Sequence, residues 1–104
     1  MSSQERLNAP HLLDVEVTQT LRRLVLLSEI EAGRARSALD DYLSMPVERH
    51  AHAELLPRMW ELRQTLTAYD AAYIALAEGL AARLLTCDAR LARAPGYRAT
   101  VQLI

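Results

Sequence analysis

Residues 66–88, LTAYDAAYIALAEGLAARLLTCD, are the most informative segment of the chain. From Ala68 to Ala82 nearly every position is apolar, with Asp70 and Glu78 as the main interruptions before Gly79. A helix that is apolar on every side is one that its fold covers on every side. Leu84-Leu85-Thr86-Cys87 follows, a short continuous apolar run of the kind found in parallel strands packed on both faces. Buried helix and strand in succession predict an α/β layered domain with a short parallel sheet.

Working outward, Asp88 to Arg93 reads as one or two helical turns closed by Pro95-Gly96, and Tyr97 to Ile104 alternates as a final strand. On the other side, Ala53 to Arg63 reads as a helix through Leu55, Leu56, Met59 and Leu62, with Pro57 tolerable only in its first turn. Pro46 ends an earlier helical pattern, and Val47 to Ala51 is short enough for a strand, although its alternation is poor. Leu13, Val17, Leu21 and Leu24 recur at helical spacing after Pro10. That helix is expected to run to about Glu31 with Asp14 as its N-cap. A second helix, from Glu31 or Ala32 to Leu43, follows a break at Gly33. Residues 1–9 are polar and expected to be loose, and residues 1–104 are expected to form a single domain.

Composition narrows the class without naming an activity. Of the 104 residues 51% are apolar, enough for a packed core, yet no run approaches the roughly 18 apolar residues that span a bilayer. The N-terminus has no apolar stretch of the secretory type. One cysteine, Cys87, cannot pair internally, and its place in an apolar run suggests an inert core thiol; a reducing cytoplasm is expected. All basic residues are arginine, but the net charge is -1, so the molecule as a whole exerts no long-range pull on a polyanion. Five aromatics are scattered and no basic stripe appears, so composition gives no nucleic-acid signature. His50 and His52 stand two apart with no partners at zinc-finger spacing. Asp40-Asp41, Arg22-Arg23 and Arg90 with Arg93 suit solvated faces.

Three carboxylates remain as candidates for chemistry. Asp70 lies in the first turn of the most apolar helix, where a buried ionised group needs a partner, a hydrogen bond or a cation. A capping box with Thr67 three residues earlier accounts for the same position. Asp88 directly follows the LLTC run, and ligands collect at the carboxyl ends of parallel strands; it equally suits a helix N-cap. Glu16 sits near a helix start at the border of the apolar arc made by Leu13, Val17, Thr20 and Leu24, where the helix dipole alone favours an acid. Carboxylates converging on one cleft would suit a hard cation such as magnesium or manganese. Such an ion can activate water and neutralise charge on a phosphodiester.

The run from Leu56 to Gly96 closely resembles the C-terminal half of PIN-domain toxins of the VapBC toxin–antitoxin systems. The resemblance rests on Trp60-Glu61-Leu62-Arg63, Thr67-Ala68-Tyr69-Asp70, Tyr73, Leu76-Ala77-Glu78 and Leu85-Thr86-Cys87-Asp88. Residues 9–23, APHLLDVEVTQTLRR, resemble the family's segment with an acidic helix start, so the likeness extends from Ala9 onward. It implies a PIN-like, Rossmann-like three-layer α/β domain and a magnesium- or manganese-dependent endoribonuclease. It further implies that Asp70 and Asp88 bind the metal, with Glu16 completing the acidic set. Thr86 would support them by hydrogen bonding, and Arg63 would face either substrate or core. RNA as substrate, a VapB-type antitoxin and a homodimer are the implied partners.

The family's proteins open with an apolar strand ending in an aspartate, and MSSQERLNAPHLL offers neither. A start codon placed too late, a fragment and a decayed gene each account for this. The expectation adopted is a missing upstream segment, since the later acidic positions and core pattern are in place. Two functions stand against each other: a ribonuclease toxin, and a non-catalytic PIN-like protein that binds an antitoxin or dimerises.

Overall fold

The computed structural model describes residues 6–104. The chain divides into two compact units with the boundary between Arg49 and His50. Part of the N-terminal segment expected to be loose, residues 1–5, lies outside the described residues.

The first unit contains β1 (Leu7–Pro10), α1 (Leu12–Leu26), α2 (Ala32–Ser44) and all but the last residue of β2 (Val47–His50), with β1 paired to β2. Leu7–Pro10 therefore departs from the expected looseness. Its last two residues, Ala9 and Pro10, are buried, and that burial together with the pairing to β2 orders a segment whose composition looked polar. Helix α1 is shorter than its apolar periodicity predicted. It closes in a Schellman arrangement, with the Glu29 N–H donating to Leu24 O and the Ser28 N–H to Val25 O. Ser28 takes the left-handed position at φ 58° in place of the usual glycine, so no glycine marks the stop. The break between the helices thus falls at Leu27–Glu31, and Gly33 lies inside α2. Helix α2 packs along α1 and buries Ala35, whereas α1 has no buried residue.

The second unit contains a 3-10 turn (Ala53–Leu55), α3 (Leu56–Glu61), α4 (Ala68–Leu80), β3 (Leu84–Thr86), α5 (Ala89–Arg93) and β4 (Val101–Leu103). Pro57 lies in the first turn of α3, where its missing N–H costs nothing. Helix α4 is the core helix that its composition predicted, with Ala71, Ala72 and Ile74–Ala77 buried. Leu62, Leu66, Ala71, Ile74 and Leu91 form the core cluster, with Met59, Leu84, Tyr97 and Val101 packed against it. Ile74 is fully buried, worth roughly 1.5–3 kcal/mol for the side chain. The helix runs through Gly79 and stops where Ala81 turns left-handed at φ 50°.

Strands β3 and β4 are parallel, in the register Leu84 to Val101, Leu85 to Gln102 and Thr86 to Leu103. The Leu84 N–H donates to Thr100 O at 2.9 Å and the Ile104 N–H to Thr86 O at 2.8 Å. The final strand is shorter than expected because Tyr97–Thr100 forms an irregular approach to it. Tyr97 anchors that approach, its hydroxyl donating to the carbonyls of Leu91 and Ala92 at 2.9 Å each. The expectation that Leu84–Cys87 is covered on both faces is corrected. Leu84 packs on the core, but Leu85 is half exposed, and Cys87 lies beyond the strand and is exposed. With β4 as its strand neighbour and α4 and α5 as its packing partners, β3 has one covered face. The result is a mixed α/β architecture with short parallel strands. Among the described residues no helix is long and apolar enough to cross a membrane.

Candidate catalytic and metal-binding site

Asp88 is the most closely defined of the predicted acids. It stands two residues past the end of β3 as the N-cap of α5. Its Oδ1 accepts from the backbone N–H groups of Arg90 at 2.9 Å and Leu91 at 3.3 Å. The Asp88 N–H in turn donates to Oγ1 of Thr86 at 3.0 Å, so the threonine that ends the strand fixes the turn presenting the carboxylate. The side chain is 42% exposed, and these two hydrogen bonds use one of its two oxygens. Arg90 Nε is 3.9 Å from that same oxygen, a loose contact from a side chain that is 92% exposed.

Asp70 occupies the third position of α4. Its N–H donates to Oγ1 of the N-cap Thr67 at 3.2 Å, which is one half of the capping box. Its half-buried side chain stands at the positive end of the helix that forms the floor of the core. Glu16 is half-buried on α1 and belongs to the first unit, whereas Asp70, Thr86 and Asp88 belong to the second. Among the described residues no three His, Cys, Asp or Glu side chains are grouped so as to hold a metal ion.

Comparison with known proteins gives this arrangement its context. Residues 2–97 match the PIN domain family. The chain belongs to that family. It is 48% identical over 98 residues to Ribonuclease VapC1 of Mycobacterium tuberculosis, covering 93% of this chain and 74% of that one. Ribonuclease VapC9 of the same organism is 45% identical over 87 residues, 84% of this chain and 68% of the relative. Ribonuclease VapC12 is 39% identical over 100 residues, 96% of this chain and 78% of the relative.

In this PIN domain the most deeply buried of the ion-paired acids is one that sequence reasoning passed over. Glu78, on α4, has a side chain only 9% exposed. The Arg58 guanidinium grips it as a fork, Nε to Oε1 at 2.7 Å and Nη2 to Oε2 at 3.1 Å, while the Arg98 N–H donates to Oε2 at 2.6 Å. Arg58 also donates to Gly96 O at 3.3 Å and to Glu61 Oε1 at 3.1 Å. These bonds tie α4 to α3 and to the approach to β4. The Arg58 bonds hold the Glu78 carboxyl below the usual carboxylate range against the opposing effect of burial. An acid set deep in the most apolar helix was the available signal, and its role is structural.

Asp14 was expected to be an N-cap; His11 holds that position and Asp14 lies in the first turn. Its carboxylate accepts from Tyr42 Oη at 2.6 Å and from Arg49 Nε at 2.9 Å. The Tyr42 bond first, then Arg49, lowers its pKa from the ordinary value. Burial and the same bond push the Tyr42 phenol up. Arg63, expected to face substrate or core, is exposed. Its guanidinium lies 4.4 Å from the centroid of the Trp60 ring, and its Nη1 donates to Trp60 O at 2.9 Å.

Proposed function

We propose that this PIN domain is a metal-dependent endoribonuclease, the toxin of a type II toxin–antitoxin pair, hydrolysing phosphodiester bonds in RNA. Support comes from the relatives, which are named as ribonucleases. The observation that carries the reading is the Thr86–Asp88 turn, in which Thr86 Oγ1 accepts from the Asp88 backbone N–H and two further N–H groups bond one carboxylate oxygen, leaving the other outside these bonds.

The donors fit magnesium or manganese in type, since both cations prefer oxygen. Magnesium needs only one or two protein carboxylates, with waters and substrate phosphate completing the shell. Asp70 and Asp88 would hold the ion. When bound, the ion would neutralise phosphate charge and make water a better nucleophile. The chain's own part is positional. Thr86 and the first N–H groups of α5 hold Asp88 at a fixed angle, Thr67 holds the first turn of α4 around Asp70, and the exposed Arg63 would contact substrate. A VapB-type antitoxin and a second copy of the chain are the partners of this reading, and the cytoplasm is its location. Support for a protein partner is helix α1, which buries none of its residues and leaves Val15 and Leu26 more than half exposed.

The test is RNA cleavage by the full chain with magnesium, with and without EDTA, beside Asp70→Asn and Asp88→Asn. Cleavage is expected to need the metal and to fall at least about 100-fold in either variant, more than loss of an outer-shell partner produces. Cleavage that persists in both variants would place the chemistry elsewhere. Absent cleavage with tight antitoxin binding would leave the non-catalytic role in its place.

A further inference from the structure

Trp60, the chain's single tryptophan, is 68% exposed on α3. Folding gives no reason for so large an apolar ring to face solvent. The ring has one neighbour of note, the Arg63 guanidinium stacked at 4.4 Å. Of the other arginines of this unit, Arg58 pairs with Glu78 and Glu61, Arg98 with Glu78 and Arg90 loosely with Asp88, while Arg83 and Arg93 make no ion pair among the described residues and have no aromatic ring beneath them. Arg63 has no ion pair among the described residues, and one of its N–H groups is used on the Trp60 carbonyl. Tyr69, 64% exposed, lies in the first turn of α4 directly before Asp70. Two exposed aromatics therefore bracket an uncommitted cation along the short connection that leads into the proposed metal-binding helix.

We propose that Trp60 and Arg63 form a stacking subsite for an unpaired base of single-stranded RNA. The inference rests on the ribonuclease reading and adds two contact residues to it. Aromatic faces interleaved with cationic charge are what single strands require: every base offers a π-face, and the phosphates beside it require positive charge. A guanidinium held over one face of an indole serves both needs, leaving the other face for a base and keeping N–H donors for a phosphate oxygen. Double-stranded RNA keeps its base faces inside the helix and cannot use such a surface. A protein partner would bury the indole too, but it would gain nothing from an unpaired arginine unless it supplied an acid at that point.

The experiment uses the full chain in EDTA, so that bound RNA stays intact, with octaadenylate and octauridylate as probes. Because Trp60 is the chain's one indole, its emission reports the site directly. Saturable quenching is expected on titration. Anisotropy of labelled RNA should show Trp60→Ala weakening binding about tenfold or more, and Trp60→Phe recovering most of the loss. Arg63→Gln should reduce the slope of log affinity against log salt by about 0.7, the value of one single-strand phosphate contact. RNA binding with unchanged emission and unchanged Trp60→Ala affinity would overturn the proposal, as would absence of RNA binding. So would a fall in sedimentation mass in Trp60→Ala with RNA affinity intact, which would make the ring a protein contact. Cleavage in magnesium is read separately: cleavage without quenching removes only the stacking subsite, and quenching without cleavage removes only the nuclease reading.

Discussion

Replacing Glu78 should damage the fold more than replacing any of the proposed metal ligands. Glu78 accepts from the Arg58 fork and from the Arg98 N–H with its side chain 9% exposed. Bonds to a charged group contribute about 1.5–3 kcal/mol each, and removing one partner of a buried ion pair costs about 3–5 kcal/mol. Arg58 is 20% exposed and keeps Glu61 and Gly96 O, so water and these acceptors recover part of the loss. Glu78→Ala should therefore cost about 2–4 kcal/mol, a fall in Tm of roughly 10 °C or more for a chain of this size. Glu78→Gln keeps the shape and loses the charge, costing about 1–2 kcal/mol. The folded-state pKa of Glu78 is lowered, so its contribution is complete above the ordinary carboxylate range and is lost as pH falls through that range to the folded value. The gap between the parent protein and Glu78→Gln should accordingly be widest near neutrality and close in acid. Urea unfolding at neutral pH and in acid reads both quantities. Equal stabilities at neutral pH, or a gap that widens in acid, would refute the clasp as a stabilising element.

Three further outcomes follow from the geometry. Asp88→Asn should keep the cap and unfold within about 0.5 kcal/mol of the parent, whereas Asp88→Ala should lose about 1 kcal/mol; both should lose magnesium binding by calorimetry, and equal destabilisation by the two would contradict the cap. Thr86→Val removes the acceptor for the Asp88 N–H and should lower cleavage about tenfold while costing about 1 kcal/mol in urea, so unchanged cleavage would deny Thr86 a positioning role. Ultraviolet titration against Tyr42→Phe should find Tyr42 ionising above the ordinary phenol range, and Asp14→Asn should bring it only part of the way down, since burial, the larger cause, remains when the carboxylate's opposition to phenolate is removed.

The architecture was legible wherever burial and periodicity agreed. Helix α4 was readable because Ala71 to Ala77 are uniformly apolar and the core needs that whole surface. The ends of elements were not, because the backbone used residues without turn preference: Ser28 and Ala81 adopt positive φ, while Gly33 and Gly79 sit in ordinary helix. Strand β1 was missed because its ordering comes from pairing with a segment some forty residues away, which composition does not register. The depth of LLTC was overread because an apolar run states what can be buried, not how many layers are present to bury it; Leu85 and Cys87 face outward. Candidate site residues were found from their positions at helix starts and strand ends, whereas Glu78 was not, since its partners Arg58 and Arg98 lie twenty residues to either side.

Capping and metal binding make compatible demands on the same carboxylate, and at the Asp88 turn one side chain could serve both. A carboxylate has two oxygens and about four lone-pair positions. The cap at α5 uses Oδ1, leaving Oδ2 outside the two bonds that define it. A hard cation gains from that arrangement, because a ligand already held by two N–H groups and a threonine hydroxyl loses little freedom on binding. The helix dipole works against this, since the end that stabilises the anion also repels the cation. A carboxylate at a helix start is thus a firmly placed ligand of reduced affinity, suited to an ion that arrives with substrate phosphate. The pairing of Asp88→Asn with Asp88→Ala separates the two duties, as the amide keeps the cap and gives up the charge.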